Sequence, residues 1–154
     1  MDITQDYLLE KAEHLLLDGK IKSKIPIQKR VAYIVSHGAS YASNGYAIRT
    51  QNVAQALTSK GYETICFIKP GRPWNLSSDI SVSTEEWVEN VRYVHSGKGE
   101  YFDIGSSEEI LDKEVAYFIR LFEIYRPEYV VGASDYNTSL PALIAARHLN
   151  LSFL

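Results

Sequence analysis

Cysteine occurs once, as Cys66, in the 154 residues, so neither an internal disulfide nor a cysteine-based zinc cage can form. That scarcity points to a reducing, cytoplasmic setting. No sign of charge dominates: 19 acidic against 16 basic residues give a formal net charge of -3. Without a positive field there is nothing to hold a polyanion, which sets nucleic acid aside as a partner. Long apolar runs are lacking too. The leucine-rich stretch from Leu8 to Leu17 is broken by Glu10, Lys11, Glu13 and His14, whereas a membrane span needs roughly 20 mostly apolar residues, so it is neither a span nor a signal peptide. There is no G-x-G-x-x-G dinucleotide fingerprint and no G-x-x-x-x-G-K-S/T phosphate loop, which withdraws support from NAD, FAD and ATP chemistry. No cofactor is expected. The four histidines, His14, His37, His95 and His148, have no metal-ligand spacing, and no metal site is indicated.

What is present is a chain 45% hydrophobic and 23% charged, enough for one real core. Asp2 to Leu17 reads as an amphipathic helix, with Leu8, Ala12, Leu15 and Leu16 on one face and Gly19 as its stop. From Lys20 to Arg30 the chain carries five basic residues, no acid, and Pro26. This reads as a solvated connector, with a patch for anionic lipid headgroups, a peripheral membrane contact, as the alternative. Residues 1–29 are thus taken as an N-terminal helix and basic linker. From residue 30 to 154, short apolar runs alternate with helical patterns, the signature of an open, mainly parallel α/β sheet with helices on both faces. The expected strands are Arg30–Ser36, Glu63–Lys69, Val91–Val94, Tyr129–Ala133 and a last one beginning at Leu151. The expected helices run from Gly45 to Lys60, with Tyr46, Thr50, Val53 and Leu57 as the buried stripe, from a capping box at Ser106 and Glu109 to Tyr125, and from Asn137 or Thr138 onward with Pro141 in the first turn. Between residues 70 and 90 the pattern predicts only an irregular excursion. Ending inside an apolar strand after a complete βα unit, the chain reads as cut short of a larger sheet.

Ligands of open parallel sheets bind beyond the carboxyl ends of the strands, so three loops carry the chemistry. The first, Ser36 to Tyr46, is small and polar and feeds straight into a helix. Gly38 and Gly45 are either simple turn residues or openings through which backbone N–H groups approach an anion. His37, at the strand end, is the one histidine expected in the crevice; His14 and His148 read as surface groups. The second loop, Pro70-Gly71-Arg72-Pro73-Trp74-Asn75, combines a guanidinium and an indole suited to a sugar ring; loop packing is the alternative. In the third, Ser134 to Thr138, capping of the next helix falls to Asn137 or Thr138 and leaves Asp135 free to act. A hydrolase nucleophile elbow fails, since Tyr136 stands where a second glycine is required and no Ser…Asp…His order can be assembled from Ser134.

The segments GYAIRTQNVAQALTSKGYE, KPGRPWN and RPEYVVGASDYNTSLPALIAARHLNLSFL together resemble the amino-terminal domain of the family-four, glycogen-synthase-like glycosyltransferases of the GT-B fold, over roughly Arg30 to Leu154. The resemblance implies a Rossmann-like domain that faces a second one across a cleft. The first domain takes the sugar or polysaccharide acceptor, and the second takes most of the nucleotide-sugar donor. It further implies that the loop with His37, Gly38, Asn44, Gly45 and Tyr46 faces the donor diphosphate, and that Arg72, Trp74, Asp135 and Asn137 line the acceptor side. Where the family often carries a histidine after the strand ending here at Val131, this chain has Gly132, so no catalytic residue is assigned. Retaining sugar transfer, in bacterial surface polysaccharide synthesis, is the activity implied for the two-domain enzyme. This domain alone is expected to be catalytically incomplete. A stand-alone ligand-binding or regulatory module is the alternative.

Overall fold

The computed structural model describes residues 25–77, 79–100, 102, 104–133 and 135–154. The N-terminal helix expected at Asp2 to Leu17, most of the basic connector, and Ser134 lie outside the described residues. Among the described residues the chain is α/β, with six strands and three helices: β1 (Ile27–Val35), α1 (Gly45–Ser59), β2 (Glu63–Ile68), β3 (Glu85–Val88), β4 (Val91–Val94), α2 (Ser107–Tyr125), β5 (Pro127–Gly132), α3 (Tyr136–His148) and β6 (Ser152–Phe153). They form one sheet in the order β3-β4-β2-β1-β5-β6. All pairings are parallel except that of β3 with β4. Leaving out β3, the parallel strands follow the 3-2-1-4-5 order of a doubly wound sheet, compatible with a Rossmann-like fold. Their order reverses between β1 and β5, the place where such sheets open a crevice. None of the described helices is long and apolar enough to cross a membrane.

Side chains alternate across the central strands with period two, and both faces are apolar. Ala32, Ile34, Ile65 and Phe67 pack with Val115, Phe118 and Phe122 of α2 and Ala142 and Ala145 of α3. Tyr33, Val35, Cys66 and Ile68 pack on the other face with Ala54 of α1. Helices therefore cover both faces, which is what an all-parallel core requires.

Several boundaries differ from the sequence reading. Strand β1 starts at Ile27, inside the expected connector, because Ile27 donates its N–H to the Arg126 carbonyl at 2.8 Å and pairs with Pro127 across an irregularity before Val31. Lys29, at φ 64°, marks that irregularity. Strand β5 likewise begins at Pro127, because Arg126, in the left-handed region, ends α2 at once. The stretch expected to be irregular holds β3. Glu89 and Asn90, at φ 45° and 69°, form the two-residue turn of a β3–β4 hairpin, whose conformation favours positive φ at both positions. Helix α1 buries Ala47, Thr50, Gln51 and Ala54; of the expected stripe only Thr50 is among them, and Tyr46 is 61% exposed. The alanines let the helix lie close to the sheet, and Gln51 donates to the Val88 carbonyl at 2.9 Å and accepts from the Tyr93 hydroxyl. His148, read as a surface group, is only 9% exposed, because it sits on the face of α3 that carries Ile144 and Ala145 into the core.

Candidate functional site

Parallel strands place all their carboxyl ends on one edge, so the loops after β1, β2 and β5 meet there. Beyond β2, Gly71 turns the chain at φ +91° and donates to the Ser96 carbonyl at 2.7 Å, aiming Arg72 back over β1. Arg72 Nη1 donates to the Ser36 carbonyl oxygen at 2.8 Å and lies 3.2 Å from His37 Nε2. His37 Nδ1 is 3.1 Å from the Tyr41 hydroxyl, which donates to the Ser36 oxygen at 3.2 Å. A guanidinium can only donate, so Nε2 accepts and Nδ1 carries the ring proton toward Tyr41. Burial and then the Arg72 charge hold His37 below its ordinary pKa, with Asp135 pulling the other way. His37 is thus a neutral ring whose lone pair is engaged by Arg72.

The loop closes onto α1 through Asn44, whose Oδ1 accepts from the Ala47 N–H at 2.9 Å. A side-chain carbon added at Gly45 meets nothing within 4 Å, so the first turn of α1, with its positive dipole end, is uncovered. Tyr46 stands exposed beside it, its ring 6.3 Å from that of His37. Gly38 is different. A carbon there would sit 2.6 Å from the Tyr93 ring and 2.7 Å from Ile68, so its need for glycine lies in packing against the sheet.

Asp135, expected to be free, is the N-cap of α3. It accepts from the Thr138 N–H at 3.0 Å, and the helix starts at Tyr136, ahead of the expected Asn137 or Thr138. Pro141 consequently falls in the second turn. The misreading arose because Asp, Asn and Thr are all good caps and stand close together here. Asn137 is exposed in the first turn.

Arg72 and Trp74, expected to share one acceptor surface, have different partners, Arg72 holding the Ser36 carbonyl and meeting His37. Trp74 packs edge-on against His95, ring centroids 6.2 Å apart, and lines a cleft of about 580 Å³ between the end of β4 and α2. His95, 1% exposed, ties three segments together. Its Nδ1 donates to the Ser83 carbonyl at 2.8 Å, so its Nε2, 2.8 Å from Ser40 Oγ, accepts from that hydroxyl. Burial lowers its pKa.

Two side chains, Glu114 and His95, escaped the sequence reading. Glu114 of α2 is 5% exposed, its Oε2 has no hydrogen-bond partner, and burial pushes its pKa up to about 7 against the charges of Lys69 and Arg72. Its signal in the sequence is an acid on the helical stripe of Leu111, Val115 and Phe118. Arg72 Nε is also buried without a partner. Nothing in the sequence singles out His95 as the knot between loops. No family model, curated protein or solved structure matches this chain.

Proposed function

We propose that this chain is the acceptor-side domain of a retaining GT-B glycosyltransferase, which moves a sugar from a nucleotide-sugar donor to a hydroxyl of a saccharide acceptor in the cytoplasm, in the making of a bacterial surface polysaccharide. The observation that carries this reading is the meeting of the β1 and β2 loops on the carboxyl edge of the sheet, next to the switch point between β1 and β5, where Arg72 is bonded to the Ser36 carbonyl beside the uncovered start of α1 at Gly45. The segment resemblance supports it independently.

In this reading the leaving diphosphate lies against the free N–H groups at the start of α1, whose dipole stabilises charge as it develops. Gly45 leaves room for that approach. Asn44 fixes the turn, Tyr46 flanks it, and the His37–Arg72–Ser36 linkage holds the loop in place. Arg72 and Asn137 face the acceptor, while Asp135 sets the start of α3 and Trp74 serves a neighbouring surface. The groups that bind the nucleotide and sugar of the donor belong to a second domain.

Amide chemical-shift mapping of this chain with oligosaccharides tests the acceptor role. The reading expects saturable shifts clustered at Arg72, Asn137 and His37, and no sugar transfer from nucleotide sugars by this chain alone. Shifts confined to the opposite edge of the sheet, or product formed without a second domain, contradict it.

A further inference from the structure

We infer that the cleft between the carboxyl end of β4 and the second half of α2 is a saccharide subsite in which Trp74 carries a pyranose ring and Lys98 meets an acidic substituent on it. This rests on the acceptor reading above and extends it from the crevice onto a separate surface.

The cleft measures about 580 Å³, within the range of small-molecule sites. Its lining is of mixed character: Val94, Leu121 and Ile124 supply apolar surface, while Ser83 and Ser96 supply polar groups. Ser96 Oγ is buried with no hydrogen-bond partner, a hydroxyl that a purely apolar occupant would leave unsatisfied and that a sugar hydroxyl satisfies. Trp74 is half-buried and set by His95, whose two nitrogens are bonded to Ser40 and Ser83; the indole is therefore held in place before any ligand arrives. One apolar ring face with hydroxyls around its edge is what a pyranose presents, and an indole offers the matching surface. The backbone beside it is fixed as well, since Gly97 has φ +76° and an added carbon would lie 2.5 Å from Phe102.

Lys98 sets the charge of the ligand. Its ammonium lies 5.8 Å from the centre of the Trp74 ring, and no ion pair holds it among the described residues. A cation beside a stacking platform selects a ring that carries a carboxylate or phosphate. Through Ser40, His95 ties the wall of this cleft to the loop that holds His37.

The chain has two tryptophans, and Trp87 is exposed on β3. Trp87→Phe therefore leaves Trp74 as the sole reporter. This variant is titrated with hyaluronan tetrasaccharide, which carries glucuronates, with neutral chitotetraose, and with UMP, while amide shifts of His37 and Asn137 are followed in parallel. The expected result is a saturable change of Trp74 emission with both saccharides, with the uronate form bound roughly threefold more tightly, and loss of that preference in Lys98→Gln, a change at an exposed position. Crevice shifts without any Trp74 response overturn the subsite and leave the acceptor reading standing. Silence at both places overturns both. A Trp74 response to UMP at lower concentration than to either saccharide overturns the assignment to sugar, and an unchanged preference in Lys98→Gln overturns the role of the cation.

Discussion

Arg72 reaches from the loop after β2 to Ser36, the first residue beyond β1, donating to its carbonyl at 2.8 Å while its charge, after burial, depresses the pKa of His37. One side chain thereby holds two loops together and adds to the burial that keeps the pKa of the crevice histidine low. Arg72→Ala leaves the Ser36 oxygen with only the Tyr41 hydroxyl of this pair, and a lost charged hydrogen bond costs about 1–3 kcal/mol. Urea unfolding measures that loss, and histidine NMR titration should show the His37 pKa rising toward its ordinary value. An unchanged His37 titration would show that the guanidinium does not govern the ring.

The two glycines of the first loop separate packing from ligand approach. Gly38→Ala drives a carbon to 2.6 Å from the Tyr93 ring and should destabilise by about 1–3 kcal/mol, the usual cost of overpacking. Gly45→Ala enters open space and should stay within about 0.5 kcal/mol of the parent. Thermal unfolding of the pair decides; similar melting temperatures for both variants contradict the packing described for Gly38.

Much of this edge was legible beforehand, and the reasons for the misses are local. The Ser106–Glu109 capping box announced α2 from its first residue, because a reciprocal cap requires a fixed three-residue spacing. Strand β4 was legible as a short apolar run and the start of α1 as the glycine at which a helical pattern begins. Strand β3 was hidden because Glu85-Glu86-Trp87-Val88 has no apolar alternation. It is held by pairing with β4 and by the Arg92–Glu85 ion pair at 2.6 Å, which are tertiary facts. The convergence of the loops follows from parallel strands alone. The contacts of Trp74 and the burial of His95 depend on which way side chains leave a loop or strand end, about which periodicity carries no information, whereas Glu114 stands on the apolar stripe of α2 and could have been found there.

Asp135 both caps α3 and acts on His37 through its charge. Asp135→Ala should lose about 0.5–2 kcal/mol of stability, whereas Asp135→Asn keeps the cap and most of that stability. Both variants should lower the His37 pKa further, since its upward pull is gone. Equal destabilisation by the two would mean that the cap contributes nothing and only charge matters.

Glu114 gives stability a dependence on pH. Its folded-state pKa of about 7 lies above the ordinary value of 4.5, so between these values the folded chain holds the proton more tightly than the unfolded one. The favourable contribution of protonated Glu114 is complete below pH 4.5 and is lost as pH rises to about 7. Lys69 and Arg72 are the charges acting on it. Glu114→Gln, neutral at every pH, should therefore gain roughly 1–3 kcal/mol relative to the parent above pH 7 and little at pH 4. Urea unfolding at both extremes tests this, and an equal effect at the two pH values would show that the carboxyl is solvated.

The most direct measurement of the central claim is an amide NMR titration with UDP, carried out on the parent chain and on Gly45→Val. The account predicts saturable shifts in the parent at Gly45, Tyr46 and Ala47, where the start of α1 is uncovered. It predicts binding weakened at least tenfold in Gly45→Val, about 1.4 kcal/mol or more, with an unchanged melting temperature. Normal UDP shifts in a stable Gly45→Val chain, or shifts in the parent that avoid the start of α1, would contradict a diphosphate-facing role for this loop.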